Sequence, residues 1–133
     1  KRALLWFRND LRLSDHEALS AAVASGAEIV PVYVFDHQRM TMGGARWSIG
    51  PHRLRFWVES VQALRGALRA QGSDLLIRTG DPAEWVPRLA EAFAVDAVYA
   101  HAEFCDEETR QERTVRVRLD EAGKRLKTFF GGT

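Results

Sequence analysis

Apolar residues cluster along the chain in five short runs, and these runs predict β-strands. Each is rich in Val, Ile, Leu or aromatic residues and lacks a regular polar alternation; they cover residues 4–7, 29–35, 75–77, 97–100 and 129–130. Runs of this length and composition are typical of strands that are covered on both faces. Pro31 falls inside the second run, and we place it near the start of that strand because proline is rare within central strands.

Between these runs, apolar residues recur at helical spacing in four segments. The first opens on a capping box, in which Ser14 and Glu17 satisfy each other's backbone amides, and ends at Gly26. The other three helices are predicted over residues 51–71, 82–93 and 106–122. Proline at the first position of two of these segments supports their start points.

Several details of the helical pattern predict which residues face the core. In the first helix the apolar stripe consists of Leu19, Ala22 and Val23. In the fourth helix the inward residues are Val115, Leu119 and Ala122. Pro87 lies inside the third pattern, which predicts either a kink or a later start of that helix.

Strand and helix patterns alternate along the whole chain, and this alternation predicts an α/β fold. We expect a five-stranded parallel sheet with helices on both faces, a Rossmann-like architecture with right-handed crossovers. Ligands of such folds bind outside the carboxyl ends of the strands. Residues 37–50 form the one long connection, whose length is typical of a functional or mobile loop.

Composition agrees with one globular domain over residues 1–133. The chain is 46% hydrophobic and 28% charged, which is too apolar for a disordered protein. A single cysteine, Cys105, excludes an internal disulfide and favours a reducing, cytoplasmic location. No apolar run approaches the ~20 residues of a membrane span, so we expect no membrane partner. Because the chain starts at Lys1 without a methionine, we also expect it to be part of a longer protein.

The sequence offers little support for several common chemistries. Nineteen basic against eighteen acidic side chains exclude strong, purely electrostatic binding of nucleic acid. The turn at residues 8–12 contains no glycine, so a pyrophosphate cannot approach its backbone as in a dinucleotide-binding motif. We predict no catalytic residue and no metal site, because the histidines stand singly in the sequence; they are His16, His37, His52 and His101.

Polar residues follow the first and fourth predicted strands, where a ligand site is expected. Four carboxylates crowd the turn after the fourth strand; they are Glu103, Asp106, Glu107 and Glu108. The residues alone favour a capping role, which compensates the dipole of the next helix, over a role as acceptors for a ligand's amino groups. After the first strand come Arg8, Asn9, Asp10 and Arg12. These residues either contact a ligand or pair to hold the loop, and both interpretations are compatible with an interface to another domain.

A long motif near the start of the chain is specific enough to be recognised. Residues 5–13 read Leu-Trp-Phe-Arg-Asn-Asp-Leu-Arg-Leu, and Asp15, Ala18 and Leu19 follow. This pattern resembles the opening of the DNA photolyase and cryptochrome family. Further stretches resemble the DASH cryptochrome branch in particular, at residues 50–65, 75–84 and 98–108. The resemblance covers essentially the whole chain.

The resemblance implies the N-terminal α/β domain of such a protein, without the large helical domain that holds FAD. In this family, light drives electron transfer from reduced FAD to a cyclobutane pyrimidine dimer, and the DASH branch is implied to prefer single-stranded DNA. The implied partners are the FAD-binding helical domain of the same parent chain and, through it, DNA. The implied alternative is a signalling blue-light photoreceptor without repair activity. In either case, this domain by itself is not expected to be catalytic.

The resemblance also implies that this domain holds an antenna chromophore, methenyltetrahydrofolate. Glu107 matches the family's folate-binding glutamate, with Asp106 beside it and Glu103 as a further contact. The implied walls of the pterin pocket are Phe35 and the turn formed by Arg8, Asn9 and Asp10. Two features depart from the DASH pattern. Residues 37–49 lack its Phe-Gly and Lys-Thr features, and Ala102 stands where that branch has a basic residue.

Overall fold

All strands of the sheet are parallel. Successive strands are first added on one side of the first strand and then on its other side. A computed structural model describes residues 1–8, 10–13, 16–36, 51–103 and 106–129. Its strands are β1 (Arg2–Phe7), β2 (Glu28–Asp36), β3 (Leu76–Gly80), β4 (Ala97–His101) and β5 (Arg125–Phe129). Their order across the sheet is β3-β2-β1-β4-β5. The chain moves from β1 outward to β3 and then returns to the other side of β1, so the topological switch point lies between β1 and β4.

Helices cover both faces of this sheet. Those in the described residues are α1 (Glu17–Ala24), α2 (Pro51–Ala70), α3 (Pro82–Ala92) and α4 (Asp106–Glu121). Alternate residues of a strand point to opposite faces. Leu5 and Phe7 of β1 therefore pack with α1 and α2, whereas Leu4 and Trp6 pack with α3 and α4. The predicted fold class, a five-stranded parallel α/β sheet with helices on both faces, is confirmed.

Two strands differ from their predicted form. We predicted the fifth strand at residues 129–130, but β5 begins at Arg125 and alternates exposed Arg125 and Lys127 with buried Leu126. An edge strand with this alternation has no continuous apolar run to detect. Pro31 is the fourth residue of β2, deeper than predicted. It lies opposite β1, and pairing with β3 begins only at Val32, so Pro31 has a neighbouring strand on one side.

The predicted start of the first helix was wrong. α1 begins at Glu17, and its N-cap is His16, whose Nδ1 accepts the backbone N–H of Leu19 at 2.9 Å. Ser14, the predicted cap, lies outside the described residues. The buried residues of α1 are Ala18 and Ala22, whereas Val23, predicted to face inward, is 60% exposed. The short helix therefore buries only a narrow stripe of small side chains.

The third helix runs through its internal proline. α3 starts at Pro82, so Pro87 does not delay the helix as one of our alternatives predicted. Proline lacks the N–H that would bond to the carbonyl four residues earlier. That carbonyl, on Ala83, instead accepts Nη1 of Arg118 from α4 at 2.8 Å. A side chain of the neighbouring helix thus supplies the hydrogen bond that the Ala83 carbonyl would otherwise receive from the N–H of residue 87.

The fourth helix buries Val115 and Leu119 as predicted. Ala122, also predicted to face inward, is exposed because α4 ends at Glu121. Across the part of the chain that the structure describes, no helix combines the length and apolar character needed to cross a membrane.

Candidate functional site

A buried carboxylate at the switch point gathers groups from three parts of the chain. Oδ2 of Asp10 lies 2.5 Å from Nε2 of His16 and 2.8 Å from Nδ1 of His101. Its Oδ1 accepts the backbone N–H of Arg8 at 2.8 Å. The two imidazole rings stack with their centroids 4.2 Å apart. We call Asp10, His16 and His101 the Asp10 cluster; all three are buried, and together they tie the start of α1 to the ends of β1 and β4.

The outer nitrogens of the two imidazoles determine where their protons lie. Nδ1 of His16 accepts the backbone N–H of Leu19, and Nε2 of His101 accepts that of Ala18 at 3.2 Å. A ring nitrogen of a neutral imidazole that accepts a hydrogen bond carries no proton. The proton of each neutral ring therefore lies on the nitrogen that faces Asp10. Both imidazole N–H groups therefore face one oxygen of the carboxylate, and the other oxygen accepts a backbone N–H.

The Asp10 cluster has the composition of a metal site, but its hydrogen bonds do not suit one. A histidine that binds a metal usually donates its second ring N–H to a carbonyl or carboxylate. Here both outer nitrogens accept backbone N–H groups instead. The inner nitrogens then hold protons, whereas a metal needs their lone pairs. We therefore interpret the cluster as a hydrogen-bonded support between α1, β1 and β4.

Burial and hydrogen bonding set the charges of this cluster. Burial alone would raise the pKa of Asp10, but hydrogen bonds from His16 and the Arg8 backbone, with the nearby imidazoles, outweigh it and hold this pKa below its usual value. Burial lowers the pKa of His101, and the attraction of Asp10 only partly opposes that effect. At neutral pH, Asp10 is therefore charged and His101 is neutral.

We expect the free energy of unfolding to fall as the pH is lowered from 7. In the unfolded chain His101 takes up its proton near pH 6.5, above its folded pKa, so acid favours unfolding once the pH drops through about 6.5. Asp10 adds stability above its unfolded pKa of about 3.9, and this stability is lost as the pH falls through its lower folded pKa. Urea unfolding at a series of pH values measures both effects.

The variant His101→Gln separates the histidine contribution from the general effect of acid. Glutamine does not titrate, so this variant should lose less stability than the original protein between pH 7 and pH 5.5. An equally steep loss in both proteins would contradict the assignment to His101.

The guanidinium of Arg8 joins three elements beside this cluster. Its Nη1 donates to the backbone carbonyl of His101 at 3.2 Å and to Oε1 of Glu112 at 2.8 Å. Its Nη2 donates to the backbone carbonyl of Glu108 at 2.9 Å. The guanidinium carbon lies 4.5 Å from the centre of the Trp6 ring. Arg8 thus connects the end of β1 to the end of β4 and to the first two turns of α4.

The predicted antenna-site residues fall into two groups. Arg8 and Asp10, predicted as walls for a ligand, are buried and bonded to the protein's own groups. Among the described residues, both side chains therefore lie inside the crevice at the switch point and bond to the protein itself. Asp106 and Glu107 are exposed in the first turn of α4, whereas the adjacent Glu108 is buried. Asn9 lies outside the described residues.

Glu103 and Phe35 lie near the same edge of the sheet. Glu103 is half-buried, and its backbone carbonyl accepts Oγ1 of Thr109 at 3.2 Å. Phe35, near the end of β2, packs edge-on against Tyr33 with the ring centroids 4.9 Å apart. Phe35 belongs to the face covered by α1 and α2, whereas α4 packs on the opposite face. The structure therefore does not bring Phe35 and Glu107 together on one face.

Sequence reasoning missed the residues that hold the site together. We predicted that the histidines stand singly, which is wrong for His16 and His101. Glu112, the partner of Arg8, was not singled out as a site residue. The available signal was that Asp10 and His101 each follow an apolar run, and such strand ends meet when the strands are neighbours.

Comparison with known proteins adds the family. Residues 3–133 match the family model described as DNA photolyase. The chain belongs to the DNA photolyase family. It is 40% identical over 136 residues to Cryptochrome DASH of Gloeobacter violaceus, an alignment that covers 100% of this chain and 27% of that protein. It is 38% identical over 134 residues to Blue-light photoreceptor PHR2 of Arabidopsis thaliana, covering 100% of this chain and 30% of that protein.

Solved structures of this family show the same architecture. The cryptochrome of Synechocystis sp. PCC6803 superposes with a TM-score of 0.91 at 37% identity, over 97% of this chain and 27% of that one. The class III photolyase of Agrobacterium tumefaciens gives a TM-score of 0.83 at 26% identity, over 97% and 25% of the two chains. The chain is thus a DASH-like α/β domain of the photolyase and cryptochrome family. It spans less than a third of the length of these relatives.

Proposed function

We propose that this chain is the light-harvesting domain of a DASH-type cryptochrome or photolyase and that it binds methenyltetrahydrofolate. The observation that carries the proposal is the pair of exposed carboxylates, Asp106 and Glu107, in the first turn of α4. Carboxylates accept hydrogen bonds strongly from amino groups such as those of a folate. When bound, such a chromophore absorbs near-ultraviolet or blue light and passes the energy to a flavin.

The described residues fit a folate at the rim of the switch point rather than inside it. Among the described residues, Arg8 and the Asp10 cluster occupy the crevice between β1 and β4 and bond to each other and to the backbone. A ligand at this edge of the sheet therefore meets the exposed start of α4 first. In our proposal, Glu107 makes the principal contact, Asp106 lies beside it, and Glu103 is a further contact; Phe35, on the opposite face of the sheet, is left out of this set.

We also propose that this domain precedes an FAD-binding helical domain in a longer cytoplasmic protein. The length of the relatives supports this, because the chain covers only 27% of Cryptochrome DASH of Gloeobacter violaceus. The longer protein would use FAD and blue light to repair cyclobutane pyrimidine dimers in single-stranded DNA. The gene sequence downstream of Thr133 tests whether a helical domain follows. A reading frame that ends at Thr133 would contradict this proposal.

A signalling photoreceptor without repair activity is the second proposed function. The 38% identity to Blue-light photoreceptor PHR2 of Arabidopsis thaliana favours it. An assay of thymine-dimer repair in single-stranded DNA, with the longer protein under blue light, separates the two. Light-dependent repair supports a photolyase, and its absence in a flavin-loaded protein supports the photoreceptor.

Replacing Glu107 by glutamine should weaken folate binding about tenfold or more. The substitution preserves size but removes the charge of a hydrogen bond worth about 1.5–3 kcal/mol. The readouts are the near-ultraviolet folate absorbance per flavin after purification of the longer protein, and the Kd from titration with methenyltetrahydrofolate.

Glu121→Gln provides a matched control at the opposite end of α4. Glu121 is also exposed, and the same charge is removed there, so folate binding should be unchanged. If Glu107→Gln retains as much folate as this control, the carboxylates at the start of α4 serve only the helix.

A further inference from the structure

We infer that Arg8 is a positioning residue for the antenna site, holding the first turn of α4 so that Glu107 faces the ligand. The inference rests on the proposed function. It assigns to Arg8 a role different from the direct ligand contact that the sequence predicted.

Two bonds of Arg8 reach the first and second turns of α4. Nη2 donates to the backbone carbonyl of Glu108, the residue that follows Glu107 in the chain. Nη1 donates to the side chain of Glu112, one helical turn further along. The side chains of Arg8 and Glu112 are only 4% and 15% exposed. The guanidinium therefore binds the helix through one backbone and one side-chain contact, both shielded from water.

The other contacts of Arg8 fix the guanidinium itself. The guanidinium lies over the aromatic ring of Trp6 in β1. Its Nη1 also donates a hydrogen bond to the backbone carbonyl of His101 at the end of β4. Its backbone N–H bonds to Asp10. Because β1 and β4 are interior strands of the sheet, Arg8 holds the start of α4 at a fixed position relative to the sheet.

The start of α4 needs such an anchor because its apolar anchors lie far away. The buried apolar residues of α4 are Val115 and Leu119. A helix rises about 1.5 Å per residue, so Val115 is about 12 Å along the axis from Glu107. Apolar packing at that distance fixes the axis of the helix, but it constrains the end of the first turn less tightly. The bonds from Arg8 act directly at this end.

Arginine is suited to this task because its planar group offers several donors at fixed angles. The guanidinium serves three acceptors here, on His101, Glu108 and Glu112. A lysine retains the charge but places one ammonium group on a flexible stem. Arg8→Lys therefore tests geometry, since the charge is preserved.

The test measures the Kd for methenyltetrahydrofolate in the longer protein for four forms: the original protein, Arg8→Lys, Glu107→Gln and the double variant. We expect Arg8→Lys to weaken binding about fivefold or more, and to shift the near-ultraviolet absorption maximum of the bound folate. In the Glu107→Gln background, the same change should weaken binding by less than about twofold, because the group being positioned is gone. Fully multiplicative losses would instead show that Arg8 affects binding independently of Glu107, which would overturn the inference.

Two further variants keep the test decisive. Arg113→Lys, at an exposed position of the same helix, should leave the Kd and the absorption maximum unchanged. If Arg8→Lys does not fold, Glu112→Gln replaces it, since this variant removes the charge of one partner of the guanidinium and should show the same non-additivity with Glu107→Gln.

Failure of the inference and failure of the proposed function give different results. If the original protein binds no folate, the proposed function fails. If it binds folate and Glu107→Gln weakens binding while Arg8→Lys does not, only the positioning role fails.

Discussion

Asp10→Asn is expected to lower the free energy of unfolding by about 2–4 kcal/mol, because it leaves buried donors without acceptors. One oxygen of Asp10 lies within hydrogen-bonding distance of ring nitrogens of His16 and His101, and the other accepts the backbone N–H of Arg8. An amide has a single oxygen, and its NH2 group must face one of these donors. Either both imidazole N–H groups or the Arg8 amide lose their partner inside the protein. Urea unfolding monitored by tryptophan fluorescence measures the loss.

Asp74→Asn is a matched control for this experiment. Asp74 also accepts from two side chains and one backbone N–H, on Arg65, Arg69 and Leu75. Its side chain is 51% exposed, compared with 6% for Asp10. Water can replace the lost contacts of Asp74, so its variant should be affected much less. Equal losses in the two variants would show that burial of the Asp10 cluster does not determine its importance.

Phe7→Ala is expected to lower the free energy of unfolding by about 3–5 kcal/mol, the usual cost of removing a fully buried aromatic side chain. Phe7 is 0% exposed and lies between β1 and the helices α1 and α2. Its ring and the imidazole of His16 form an edge-to-face pair, with the centroids 5.1 Å apart. The cavity would therefore open directly beside the Asp10 cluster. Thermal and urea unfolding both report the change.

Phe56→Ala removes the same side chain from the surface. Phe56, on α2, is 71% exposed, so its variant should change the free energy of unfolding by no more than about 0.5 kcal/mol. A loss near that of Phe7→Ala would mean that Phe56 is covered in solution by something other than this domain.

The fold could be predicted because most of its strands are buried on both faces. The strands β1, β2 and β4 contain continuous apolar runs, which stand out from the surrounding polar sequence. The strand β5 was largely missed because it lies at the edge and shows charged Arg125 and Lys127 to water. The start of α1 was misplaced because a serine and a glutamate three residues apart matched a common capping pattern, whereas His16 supplies the cap.

The candidate site could be predicted only in part. The exposed carboxylates of α4 were identified from their place after a strand. The inward position of Glu108 had a signal that we did not use: it lies seven residues before Val115, on the same helical stripe. For the Asp10 cluster, the places of Asp10 and His101 after apolar runs were not enough, since the cluster forms only because β4 lies next to β1. Strand order of that kind follows from the packing of the whole domain and is not written in any one segment.

The same strand order has a consequence for how the protein is made. Arg8 and His101 are 93 positions apart, so the middle of the sheet closes late during synthesis. β3 ends at Gly80 and β4 ends at His101. At about 5–20 residues per second, a ribosome needs roughly 1–4 s to add the intervening residues. During that interval β1 has a partner on one side only, and its apolar edge is open to pairing with another nascent chain. Slower translation between Gly80 and His101 should therefore increase aggregation of the newly made protein.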